Sequence, residues 1–282
     1  MLSFRLLSVR WSLRTLLLLV ALVAGACALV IATTPRDDSA QIELLEKHGI
    51  SVFYEWKSSR LWPWSKSMVA SAVTMQHTEF QGDIVDGQAQ LPPAVVAAMQ
   101  QCHGLKVMAL ESCSLRSEDL LAMPFLSELT VISLPGSNVD DRPLQALQQN
   151  EALDELNLSN TSITDAGTRH FARLPNLTFL TIGGPHITTA CLADLVDLKR
   201  LKALYLVSGP FHADDLAVLT QMPNLTLTVA CKPSAFPAEA MPNPSGLQLY
   251  FIDDQPLDEA DQAALETLRS RGITVHVTAS WY

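Results

Sequence analysis

The chain has 282 residues and is 48% hydrophobic, enough for one sizeable domain and a targeting segment. Four of its 19 basic residues, Arg5, Arg10, Arg14 and Arg36, precede the first acid, so residues 37–282 set 15 basic against 29 acidic residues, a balance of -14. A surface of that sign repels phosphate backbones and excludes nucleic acid as an expected partner, and it disfavours lying flat on an anionic bilayer.

Thr15 to Ala32 reads TLLLLVALVAGACALVIA, without a charge. As a helix this run is about 27 Å long, close to the hydrocarbon thickness of a bilayer. Arginines precede it, and Arg36-Asp37-Asp38 follow. The positive-inside rule then predicts a cytoplasmic basic tail (1–14), a transmembrane helix (15–34) and an extracytoplasmic domain: a single-pass membrane protein. A cleaved signal peptide has a shorter apolar core, and Ala24-Gly25-Ala26-Cys27 resembles a lipoprotein cleavage site weakly. The other four cysteines, Cys102, Cys113, Cys191 and Cys231, show no CxxC spacing, so they read as small apolar core residues rather than a zinc site or disulfide framework.

Residues 35–80 read as a linker and N-terminal cap. Ile42, Leu44 and Leu45 have helical spacing before Gly49, a plausible stop. Ser51 to Trp56 and Val69 to His77 are rich in strand formers. Trp62-Pro63-Trp64 lies between them, suited either to a membrane interface or to covering the exposed end of a core.

A period of 24 residues runs through the rest. Offset 0 holds Leu105, Leu129, Leu153, Leu177, Leu201 and Leu225. Offset 3 holds Met108, Ile132, Leu156, Leu180, Leu204 and then Thr228; offset 5 holds Leu110, Leu134, Leu158, Ile182, Leu206 and Ala230. Offsets 10 and 18 are also apolar, and offset 12 holds Ser117, Asp141, Asp165 and Thr189, good N-caps for a following helix. Leu153-Asp-Glu-Leu-Asn-Leu-Ser-Asn-Thr-Ser-Ile163 is similar to the leucine-rich repeat signature LxxLxLxx(N/C)xL. The pattern resembles bacterial membrane-anchored leucine-rich repeat proteins, and the resemblance implies an α/β solenoid, a horseshoe of parallel strands and helices, over residues 81–278, with 279–282 as a tail. Offset 8, usually Asn or Cys in that family, reads Cys113, Ser137, Thr161, Pro185 and Gly209; thiol and hydroxyls serve in part, so the later turns are expected to be irregular.

The ends of the array are degenerate. Gln81 to Gly104 fits offsets 3, 10, 15 and 18 but fails offset 5 at Asp86. After Ala230, four prolines between 233 and 244 forbid most of a helix. The phase then resumes with Leu247, Tyr250 and Ile252 at offsets 0, 3 and 5, ahead of a last helix, 258–271, and a last strand, 272–277.

No GxSxG, GxGxxG, phosphate loop or HExxH occurs, and the histidines stand singly, so no catalytic, cofactor or metal site is expected. What remains is a surface. Offsets 2, 4 and 6 face outward on the concave sheet, and in the C-terminal half this phase places Phe179, Tyr205, Val207, Leu227, Val229, Leu249 and Phe251 there. An apolar patch on a water-facing sheet marks a protein-binding site, unless segment 233–246 folds over it or the register is off by one. The expected function is a non-enzymatic protein-interaction module; a structural or self-associating envelope protein is the alternative, and an enzyme working through the acidic pairs is a third reading.

Overall fold

The computed structural model describes residues 37–58, 66–75, 83–207, 211–242, 246–252 and 255–278. The expected basic tail, the membrane helix at 15–34, Trp62, Trp64 and the tail 279–282 lie outside the described residues. Among the described residues, no helix is long and apolar enough to cross a membrane.

One sheet of ten strands runs through the molecule in the order β1 to β2, then β5 to β12. Strands β1 (Ser51–Ser58) and β2 (Lys66–Met75) pair antiparallel at the N-terminal end. From β2 onward every pairing is parallel: β5 (Val107–Leu110), β6 (Val131–Ser133), β7 (Glu155–Ser159), β8 (Phe179–Gly183), β9 (Ala203–Leu206), β10 (Thr226–Val229), β11 (Gln248–Ile252) and β12 (Thr274–Thr278). A helical layer backs the sheet: α1 (Ser39–Lys47), α2 (Pro93–Gln101), α3 (Ser117–Leu121), α4 (Arg142–Leu147), α5 (Asp165–Thr168), α6 (Leu192–Leu195), α7 (Ala213–Leu216) and α8 (Glu259–Ser270). Most of these helices are one turn long because a 24-residue coil leaves little chain for the return path.

The columns explain the packing. Successive coils register inward residues directly: Met108 opposite Ile132, then Leu156, Leu180 and Leu204. All are fully buried, as are Leu105, Leu129, Leu153, Leu177 and the offset-10 residues Leu115, Val139 and Ile163. Each such leucine contributes roughly 1.5–3 kcal/mol of burial free energy, and no coil buries its leucines without its neighbours.

Polar groups fix the turns. In the offset-8 column the hydroxyls of Ser137 and Thr161 donate to the carbonyls of Leu134 and Leu158, at 2.7 and 2.8 Å. One position earlier the backbone is left-handed in four coils, at Ser112, Gly136, Asn160 and Gly184. That column therefore favours glycine or a short polar residue.

Offset 12 corrects the sequence expectation. The caps lie one residue earlier: the Thr164 and Thr188 hydroxyls accept the N–H groups of Ala166 and Ala190. The offset-12 side chains instead reach the next coil. Asp141 accepts both the N–H (2.8 Å) and the hydroxyl (2.7 Å) of Thr164; Asp165 does the same with Thr188 at the same distances. Ser117 exchanges hydrogen bonds with Asp140, accepting its N–H and donating to its carboxylate. These charge-assisted bonds stitch coil to coil along the edge of the solenoid.

The two ends also differ from expectation. Among the described residues of Gln81 to Gly104, none forms a strand of the main sheet. Its β3 (Ile84–Val85) and β4 (Gln88–Ala89) form a separate hairpin whose Ile84 and Val85 are exposed, and the first parallel strand is β2, with Val73 and Met75 inward. The later half of this coil is regular: Leu91, Val95 and Met99 are buried. At the C-terminal end, the described residues of segment 233–246 do not cover the concave face. Its two short 3-10 helices, Pro233–Ala235 and Ala238–Ala240, pack against α8 in place of the missing helix. Phe236 fills the core between Phe211 and Phe251, with ring centroids 5.1 and 5.4 Å away.

The central correction concerns phase. Leu227 pairs in register with Leu204, and Val229 with Leu206, so both point inward. Leu249 and Phe251 pair with Leu227 and Val229 and are inward too. All four are fully buried rather than outward-facing. The coil between β9 and β10 is one residue shorter than 24, so extrapolating the period put these strands on the wrong face.

Buried Asp261 ties the last helix to the proline-rich segment, accepting the N–H groups of Ser234 (3.0 Å) and Asp258 (3.1 Å). Hydrogen bonds from the Ser234 hydroxyl and the Asp258 N–H hold its carboxyl down to about 2. None of the four described cysteines is joined in a disulfide, and Cys102, Cys113 and Cys191 are buried. Burial pushes the Cys102 thiol up to about 12, Cys113 to about 11, and Cys191 upward as well.

Two outcomes follow. Phe251→Ala costs about 3–5 kcal/mol in a denaturant titration, whereas Tyr250→Ala costs about 1 kcal/mol or less; the reverse order contradicts the register. Because Asp261 is depressed in the folded state, its stabilisation is complete above the unfolded carboxylate range, about pH 4. It is lost as pH falls from there toward 2, so Asp261→Asn gives a shallower fall of stability over that window.

Candidate protein interface on the concave sheet

The outward rows follow from the observed register. One row runs Thr74, Ala109, Ser133, Asn157, Thr181, Tyr205, Thr228, Tyr250 and His276, each directly opposite the next on adjacent strands. Its first five members are small or polar. Its last four bring three rings onto one face.

Among the expected residues, Phe179 and Tyr205 are outward as predicted. Phe179 is 37% exposed and packs against the half-buried Tyr205, with centroids 5.9 Å apart. Val207 is half-buried just past the end of the same strand, its N–H donating to the Ile182 carbonyl. Two coils further, Tyr250 and His276 stack with centroids 4.4 Å apart and planes 17° from parallel. Sequence reasoning missed Thr228, Tyr250 and His276. The signal was present: Thr228 and Ala230 interrupt inward columns that are otherwise aliphatic, as a one-residue deletion requires.

Between the two ring pairs lies Thr228. Its side chain is buried, and its hydroxyl lies beside the Tyr205 phenol. Burial pushes the Tyr205 phenol up, and the neighbouring Thr228 hydroxyl acts in the opposite sense. Exposed Glu155 pairs in register with Phe179, which sets a carboxylate beside the first ring. The stripe is thus a row of aromatic faces with a polar handle beneath it and an acid at one end.

A second feature lies at the N-terminal end of the same face. Ser51, Phe53, Thr74, Ala109, Glu111, Ser133 and Pro135 line a shallow depression of about 560 Å³. Phe53 on β1 is 61% exposed and forms its rim. Among the described residues, no group of three or more His, Cys, Asp or Glu side chains is arranged to hold a metal ion. Asp140 faces Ser117 and Arg142, and Asp215 lies against Thr189. Asp253 and Asp254 lie outside the described residues.

No family model matches the chain, and no curated protein matches it. Among solved structures, an internalin from Listeria monocytogenes is similar at 19% identity, covering 70% of this chain and 55% of that one, with a TM-score of 0.38. Internalin C2 from the same organism is similar at 17% identity, covering 74% of this chain and 80% of that one, also with a TM-score of 0.38. This chain spans about half the length of the first of these. At that score the likeness carries no argument, and the repeat architecture here stands on the strand register and the buried leucine columns.

Proposed function

We propose that this protein is a non-enzymatic interaction module that grips a protein partner on the C-terminal half of its concave sheet. The observation that carries the reading is the pair of ring contacts on the outward face. Phe179 against Tyr205 and Tyr250 against His276 place four rings on a sheet face where water contact favours polar side chains. Aromatic side chains on a rigid scaffold are efficient anchors, because they bury much area and lose few rotamers on binding. Glu155 beside Phe179 favours a partner that presents an apolar anchor next to a basic side chain. The apolar run Thr15–Ala32, with arginines before it, supports display of this face outside a membrane.

The test is capture from native membranes by the full chain and by the double variant Tyr205→Glu, Tyr250→Glu, both checked for an unchanged circular dichroism spectrum. A partner held through this stripe loses about 2 kcal/mol or more, roughly thirtyfold in affinity, in the variant. Equal recovery by both chains removes the stripe as the binding surface.

A further inference from the structure

The first described residues are not a loose tether. Asp38 is fully buried, and its carboxylate accepts the backbone N–H of His103 at 2.9 Å and lies 2.9 Å from the His103 ring Nδ1. Its carbonyl accepts the Ile42 N–H as the first bond of α1, and α1 packs on α2 and β1. The chain is therefore latched to the body of the solenoid at residue 38. The apolar span read from the sequence ends at Thr34, and three Cα steps from Thr34 to Asp37 reach at most about 11 Å.

The same end of the molecule carries an unusual pair of exposed rings. Phe53 and Tyr54 sit on edge strand β1, 61% and 44% exposed, on either side of a break in its register with β2. Aromatic side chains are at home at the headgroup level, where an apolar ring and a polar edge are both accommodated. The acidic balance of the domain opposes laying its flank on an anionic surface, and standing on one end removes most of that charge beyond a Debye length.

We propose that the N-terminal end of the solenoid, with Phe53 and Tyr54 on β1, rests against the lipid headgroups, and that the coils stack away from the membrane. This rests on the membrane anchoring proposed above. The occupant of this end is thus the bilayer of the protein's own anchor. Ten strands at about 4.8 Å each then hold β12 roughly 40 Å above β1, and the aromatic stripe on the later coils faces a partner well clear of the surface.

The test uses the full chain in phosphatidylcholine–phosphatidylglycerol vesicles that contain a headgroup nitroxide lipid. Cys27 and Cys231 are replaced by alanine, and a fluorophore is attached at Phe53→Cys or, separately, at Gln262→Cys on α8. The buried thiols of Cys102, Cys113 and Cys191, with their raised pKa values, stay unlabelled. The label at 53 is expected to be quenched several-fold more than the label at 262, and Asp38→Asn is expected to shrink that contrast. Vesicle-bound protein with equal quenching at both sites, or with none at 53, overturns end-on docking and leaves β1 to another occupant, such as a second copy of the chain. Failure of the chain to float with the vesicles overturns the anchoring itself, and with it this inference.

Discussion

The structure depends on one constraint: each coil must set its two inward side chains at the same height as those of the coil before it. Parallel strands hydrogen-bond in a fixed register, and side chains alternate between faces, so a coil has no freedom to slip by one residue. Leucine at offset 0, and leucine, isoleucine or methionine at offsets 3 and 5, satisfy this through β9. The rest is arranged around it, with left-handed residues to leave the sheet, hydroxyls to satisfy the turn, and a carboxylate ladder to bind each coil to the next. The concave face is whatever side chains the same alternation leaves pointing out.

That dependence explains which parts of the fold were legible in the sequence. The buried columns were, because a fully buried position in a parallel array tolerates only apolar residues of similar size. The ladder from Asp141 to Thr164 and from Asp165 to Thr188 was not. Those residues were recognised as capping types, but a cap and a cross-coil acceptor use the same side chains. The first strand of the parallel array was not legible because β2, paired antiparallel with β1, carries no 24-residue signature. Ile84 and Val85, which fit the pattern partly, went instead to a separate hairpin.

The candidate surface was half legible for the same reason. Phe179 and Tyr205 lie before the shortened coil and were assigned to the correct face. Leu227, Val229, Leu249 and Phe251 lie after it and were assigned to the wrong one. A single missing residue inverts every later side chain, which is why the true outward residues, Thr228, Tyr250 and His276, emerged only from the observed pairing. The corrected face is less greasy than the expected one. Threonine, tyrosine and histidine replace leucine and valine, and a surface of that kind stays in water until a partner covers it.

The proposed function requires that the aromatic stripe face outward and be covered when a partner binds. Hydroxyl-radical footprinting of the full chain, with and without the captured partner, reads this side chain by side chain. Oxidation is expected at Phe179, Tyr205, Tyr250 and His276, with protection of Leu227 and Phe251 and loss of the stripe's labelling on binding. Labelling of Leu227 or Phe251 in the folded chain, or a stripe whose oxidation is unchanged by the partner, would contradict it.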